Sequence, residues 1–256
     1  MIVPRYKLLL EYDGSAFVGW QHQENGFSVQ QALEDAILNF SGKKVRVFAA
    51  GRTDAGVHAA GQVIHFDLAR AASAKTVRDA LNDHLRRNEA GGPRRIAVLA
   101  SEEVDERFHA RISATRRVYR YCIVNRPAPL AFDRDRAWHV FAPLDAAAMD
   151  AAARNLVGKH DFTTFRSVHC QADSPVKTLD RLAVSRDAER VRIVAEARSF
   201  LHSQVRAMAG TLVRVGEGKW TPGGVAAALE ARDRARSGPT APAHGLTLIA
   251  VHYDER

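Results

Sequence analysis

Apolar residues recur along this chain with two spacings, one near 3.6 and one near 2, and the changes between them mark out its elements. Arg5–Tyr12 reads as a first strand closed by the turn signal Asp13-Gly14. Ser28-x-x-Gln31 is a capping-box pattern, and Val29, Ala32, Leu33, Ala36, Ile37 and Phe40 follow at helical spacing. Lys44–Ala49 and Gln62–Leu68 read as strands rich in β-branched and aromatic residues, with glycine breaking the chain between them. Val77, Leu81, His84 and Leu85 form a second helical pattern, ended by Gly91-Gly92-Pro93, and Ile96–Ala100 is a further strand. The order strand, helix, strand, strand, helix, strand predicts an α+β layer with helices on one sheet face, rather than a doubly wound parallel sheet.

The second half continues in the same style, without a residue-level internal repeat. A strand runs from Arg116 through Val124, its alternation placing Tyr119 and Tyr121 on one face, in sheet core or in a site. Leu144-Asp145 caps a helix carrying Met149, Ala152, Ala153 and Leu156, with Gly158 as a stop. Thr178–Ser185 and Arg190–Ala197 pattern as a hairpin. Leu201, Val205, Met208 and Leu212 share one helix face, with Arg206 beside that stripe; Thr221-Pro222 opens a last helix through Leu229, and Leu246–Tyr253 closes as a strand. Phe17 and Trp20 are expected in the core.

Composition narrows the function. The 256 residues allow one large domain or two small ones, and a boundary at 106/107 divides the chain into 1–106 and 107–256. No apolar run approaches a membrane span, and the opening residues lack the apolar core of a secretion signal. The two cysteines, Cys122 and Cys170, make neither a disulfide framework nor a metal-ligand spacing, so a cytoplasmic protein is expected. A net charge of +8 favours a polyanionic partner, and six arginines (107, 111, 116, 117, 120, 126) fall in one window without an acidic residue. That window points to phosphate contact. No phosphate-binding or dinucleotide fingerprint is present; Gly216-x-Gly218 lacks a third glycine, and His58 and His65 lack the spacing of helical zinc ligands. Neither a nucleotide cofactor nor a metal is expected.

One stretch carries candidate chemistry: Gly51-Arg52-Thr53-Asp54-Ala55-Gly56-Val57-His58-Ala59. Glycines on both sides of Asp54 permit positive φ and close approach of a ligand to the main chain. Such an Asp, two residues after an Arg, suits a nucleophile kept ionised by a neighbouring cation. On spacing alone, an Asp that caps its own turn is the commoner use.

That string resembles the signature loop of the tRNA pseudouridine synthase A family. Four further stretches resemble its motifs: Tyr12-Asp13-Gly14-x-x-Phe17-x-Gly19-Trp20-Gln21; the run from Phe108-His109-Ala110-Arg111 to Tyr119-Arg120-Tyr121; Phe200-Leu201-His202-Ser203-Gln204-Val205-Arg206; and Gly238-Pro239-Thr240-Ala241-Pro242. The resemblance implies an α+β fold of two similar α/β-sandwich halves that share a mostly antiparallel sheet, with helices packed on it and the active-site cleft between the halves. It also implies an isomerase that converts uridine to pseudouridine at positions 38, 39 and 40 of the tRNA anticodon stem-loop, without cofactor, as a homodimer. Asp54 takes the place of the family nucleophile, Arg206 of its partner, and Tyr119 of the residue on the target base. Arg52, Arg111, His58, Phe165 and Arg166 match positions at the substrate; Arg52 would fill the space of the flipped base or hold a phosphate. Ala207 stands where many members have Asn. The competing classes are a non-catalytic RNA-binding protein, which would not need Asp54, and a glycoside hydrolase, which needs a second carboxylate.

Overall fold

In β1 (Arg5–Tyr12), Tyr6, Leu8, Leu10 and Tyr12 are buried while Leu9 and Glu11 turn outward, the period-two pattern of a strand with one covered face. The structure, a computed structural model, describes residues 3–254 except 25, 70 and 89–94. The expected stop at Gly91-Gly92-Pro93 therefore lies outside the described residues. The chain divides into two units, Met1–Thr115 with Leu248–Arg256, and Arg116–Thr247.

In the first unit β1 is followed by α1 (Val29–Ser41), β2 (Phe48–Ala49), β3 (His58–Asp67), α2 (Ala74–Asn88) and β4 (Ile96–Val104). β1 lies antiparallel between β3 and β4, with Leu8 opposite Ile64 on one side and Ser101 on the other. The final strand of the chain, β10 (Leu246–Tyr253), continues the order as β4-β1-β3-β10. Ser28 caps α1, its hydroxyl accepting the Gln31 N–H at 3.1 Å. Val29, Leu33 and Ile37 of α1 and Val77, Leu81 and Leu85 of α2 are buried, as their spacing requires, and α2 packs on α1 and β4.

The second unit contains β5 (Ala114–Asn125) from Arg116 on, β6 (Trp138–Val140), α3 (Ala146–Arg154), β7 (Gly158–Asp161), β8 (Val176–Asp187), β9 (Arg190–Ala197), α4 (Gln204–Gly216) and α5 (Pro222–Ala231). Its strands run β5-β9-β8-β7, with antiparallel neighbours; β6 pairs parallel to β5 and makes the pairing mixed. α4 is buried on almost every side, which marks it as a central rather than a surface helix. The architecture is α+β, with five α-helices among the described residues.

Several boundaries differ from the sequence reading. Lys44–Val47 forms no strand, because the Val47 N–H donates to Glu34 Oε1 on α1 (3.1 Å) instead of to a ladder partner. β3 begins at His58, four residues before the expected start. Leu201 precedes α4 and Leu156 follows α3, though both are buried; β6 and β7 were not anticipated. The arginine window is not a uniform cationic face either. Arg107 pairs with Asp105, Arg116 with Glu196 and Arg126 with Glu189, while Arg117 is buried and donates to the Arg198 carbonyl. A sequence window without acids says nothing of acids brought in by neighbouring strands.

Candidate active site

Asp54 sits half-buried on a loop fixed from several directions within the first unit. Gln62 of β3, fully buried, donates from Nε2 to the Gly51 carbonyl (2.7 Å) and accepts the Gly51 N–H at Oε1 (3.4 Å). The Tyr12 hydroxyl shares a 2.8 Å hydrogen bond with Thr53 Oγ1, and the Thr53 carbonyl accepts the Trp20 N–H at 3.0 Å. Burial pushes the Tyr12 phenol up to about 12, so it is a neutral hydrogen-bonding group at physiological pH. The Val57 N–H closes the turn on the Asp54 carbonyl at 3.1 Å.

The glycines of the amino-terminal motif complete the clamp. A Cβ on Gly14 would lie 2.0 Å from the Val57 carbonyl oxygen. At Gly19, where φ is +109°, it would lie 2.9 Å from the Thr53 carbonyl oxygen and 3.1 Å from the Ala55 nitrogen. Backbone meets backbone at both points, and only glycine leaves room. Two stretches some forty residues apart in sequence thus form one structural unit around Asp54.

Next to the loop, and wholly within the first unit, is a cleft of about 790 Å³ whose lining includes Lys44, Arg46, Phe48, Arg52, His109 and Arg111. The Arg46 guanidinium lies over the Phe48 ring (5.3 Å), which in turn stacks on His65 (5.0 Å). Burial lowers the pKa of Arg52, and repulsion from Arg111 and Arg46 lowers it further. Cations crowded together in this way form a site that an anion stabilises. The structure brings Arg52 and Arg111 together here and adds Lys44 and Arg46, which the sequence reading missed although Lys43-Lys44-x-Arg46 is a short basic run.

His58 lies against the turn of the amino-terminal motif. It is 6% exposed, and its Nδ1 accepts the Gly14 N–H at 3.1 Å, 3.3 Å from Asp13 Oδ1. The ring braces the turn of the amino-terminal motif.

In the second unit Tyr119 lies on the covered face of β5, 8% exposed, with the edge of its ring system against Phe200 (5.2 Å between centroids). Arg206 is half-buried in the first turn of α4. Its Nε donates to the Ala241 carbonyl (2.9 Å), and its own carbonyl accepts the Ala241 N–H (3.1 Å). The Tyr121 hydroxyl, a buried phenol whose pKa is raised, donates to the Pro242 carbonyl at 2.8 Å. The segment at 238–242 is therefore tied to α4 and β5. Ala207, the residue after Arg206 in α4, is buried. Arg166 is half-buried at the end of a 3-10 turn, but Phe165 is 0% exposed and packs near Phe162. Phe165 supports that segment.

Among the described residues, no group of three or more His, Cys, Asp or Glu side chains is arranged to hold a metal ion.

A family model described as tRNA pseudouridine synthase matches residues 9–111 and 152–254. The chain belongs to the tRNA pseudouridine synthase family. The two matched segments divide the family pattern into two halves; the first carries Asp54 and the cleft arginines, the second Phe165 and Arg206, and Tyr119 lies between them. Relatives named tRNA pseudouridine synthase A span essentially the whole chain. The protein of Paramagnetospirillum magneticum is 60% identical over 251 residues, covering 98% of this chain and 96% of its own. That of Parvibaculum lavamentivorans is 56% identical over 252 residues (98% and 100%), and that of Afipia carboxidovorans 57% identical over 251 residues (98% and 100%).

Proposed function

We propose that this isomerase of the tRNA pseudouridine synthase family converts uridine to pseudouridine at positions 38, 39 and 40 of the anticodon stem-loop, with Asp54 as the nucleophile. The observation that carries the reading is the clamped loop: one carboxylate, held on a fixed backbone beside a cleft lined by Lys44, Arg46, Arg52 and Arg111.

The reaction breaks the bond from uracil N1 to the ribose, turns the base, and joins the ribose to carbon 5, which gives up its proton while N1 takes one up. It is redox-neutral and transfers no phosphoryl group. Asp54 has to be an anion to add to the sugar or to the ring, and in this account the Arg206 guanidinium pairs with it to keep it so. A base paired in a stem must first leave the stack, at a cost of a few kcal/mol. Stacking on Tyr119 returns about 1–3 kcal/mol, and phosphate contacts from Arg52, Arg111 and Arg166 supply the rest. His58 and Phe165 hold the elements that carry these groups. We further assign the enzyme to the cytoplasm and to a homodimer.

Incubating the pure protein with tRNA, no cofactor added, and mapping pseudouridine along the product tests reaction, substrate and position together. Modification confined to 38–40 is expected; modification elsewhere refutes the assigned positions, and none at all refutes the activity.

A further inference from the structure

Gln62 is fully buried in β3, next to the buried apolar Val63, Ile64 and Phe66; the strand also buries His58 and His65, whose ring nitrogens accept the Gly14 and Ala110 N–H groups, away from the Asp54 loop. A fully buried amide is costly unless its polar atoms are bonded, and an apolar side chain would pack such a sheet without that cost. The strand itself does not need the amide, since the β3 backbone already pairs with β1 at Leu10. The hydrogen bonds of the Gln62 side chain lead instead to the Asp54 loop or its anchor: the Gly51 carbonyl at 2.7 Å, the Gly51 N–H at 3.4 Å and the Tyr12 hydroxyl at 3.4 Å. Tyr12 passes the connection on to Thr53 at 2.8 Å. The ring Gly51–Gln62–Tyr12–Thr53 closes around Arg52 and fixes the residues on both sides of it, the second being the immediate neighbour of Asp54.

We infer that Gln62, acting with Tyr12, is a positioning residue for the reaction: its amide sets the orientation of Arg52 and Asp54 and so governs the chemical step rather than tRNA binding. The inference rests on the proposed role of Asp54. Because Gly51 is gripped at both its N–H and its carbonyl, loss of the amide frees the peptide plane that leads into Arg52. Displacements on the order of 1 Å at a reacting group cost about 100-fold in rate.

Gln62→Met keeps length and apolar volume while removing the donors and the acceptor. Tritium release from carbon-5-labelled tRNA under single turnover, tRNA dissociation constants and thermal melting are measured for wild type, Gln62→Met, Tyr12→Phe and Asp54→Asn. The expected result is a rate loss of about 10- to 100-fold in Gln62→Met with tRNA affinity within about twofold of wild type. Tyr12→Phe shows a smaller loss of the same kind, and the double variant loses less than the product of the two, because both break one ring. A wild-type rate in Gln62→Met beside a dead Asp54→Asn overturns the inference and leaves the nucleophile in place. Turnover by Asp54→Asn overturns the nucleophile itself, whatever Gln62→Met does. Should Gln62→Met not fold, Tyr12→Phe decides. A slowed chemical step at unchanged affinity supports the clamp; an unchanged rate, or affinity and rate falling together, refutes it.

Discussion

Replacing Gly19 with alanine puts a methyl carbon 2.9 Å from the Thr53 carbonyl oxygen and 3.1 Å from the Ala55 nitrogen, at a φ of +109°. The backbone conformation alone costs an L residue about 1–3 kcal/mol. Relieving the contact means moving backbone rather than a flexible side chain, which adds about 1–3 kcal/mol, the usual scale of overpacking. Restricting the unfolded chain returns about 0.4–1 kcal/mol, so the net loss is about 2–5 kcal/mol. For a chain of this size that lowers the melting temperature by roughly 5–15 °C. Gly42→Ala is the matched control: φ there is +69°, but no atom lies within 4 Å of the added carbon. It loses only about 1 kcal/mol, from the αL conformation at the end of α1. Thermal melts with tritium-release turnover on both variants separate strain from contact. Gly19→Ala is expected to melt well below Gly42→Ala and to lose turnover, because the push falls on Thr53–Ala55; Gly42→Ala keeps wild-type turnover. If the two variants melt together and turn over alike, the amino-terminal motif does not hold the Asp54 loop.

The buried His65 gives a pH signature. Burial, with His109 and Arg5 repelling a second positive charge, pushes it down to about 4 from 6.5. Between those values the unfolded chain binds a proton that the folded chain does not, so stability falls as pH drops, by at most about 3 kcal/mol near pH 4. Melting at pH 7 and pH 5 is expected to show a clear drop in wild type and a shallower one in His65→Phe; equal drops exclude His65 as the source. The cleft arginines predict a salt effect: Arg46→Gln or Arg111→Gln lowers the slope of log affinity for tRNA against log salt by about 0.7–0.9 per lost phosphate contact. An unchanged slope in titrations from low to moderate salt removes that residue from the RNA interface.

How much the sequence disclosed depended on the range of the interaction. α1 was legible in full, since Ser28 and the stripe from Val29 to Ile37 act within a few residues of each other. β1 and β10 also appear with the bounds their patterns gave. Lys44–Val47 failed because Glu34, on another element, takes the N–H a strand would have used. The arginine window misled for the same reason: Glu196, on β9, and Glu189, in the turn between β8 and β9, are distant in sequence and are brought beside Arg116 and Arg126 by the fold. In the candidate site, the Asp54 loop and the exposed Arg52 and Arg111 could be read from motif and charge. The burial of His58 and Phe165 could not, because polar or aromatic character does not tell which face of a sheet or turn a residue takes. Nor could the Gln62 clamp, which joins residues separated by eleven and by fifty positions.

The proposed chemistry puts the isomerisation on the Asp54 carboxylate. Tritium release from carbon-5-labelled tRNA by wild type and by Asp54→Asn, at matched tRNA occupancy, tests it most directly. Steady release is expected from wild type, and none above background from an Asp54→Asn variant that still binds tRNA with unchanged affinity. Release at a near wild-type rate from that variant contradicts it.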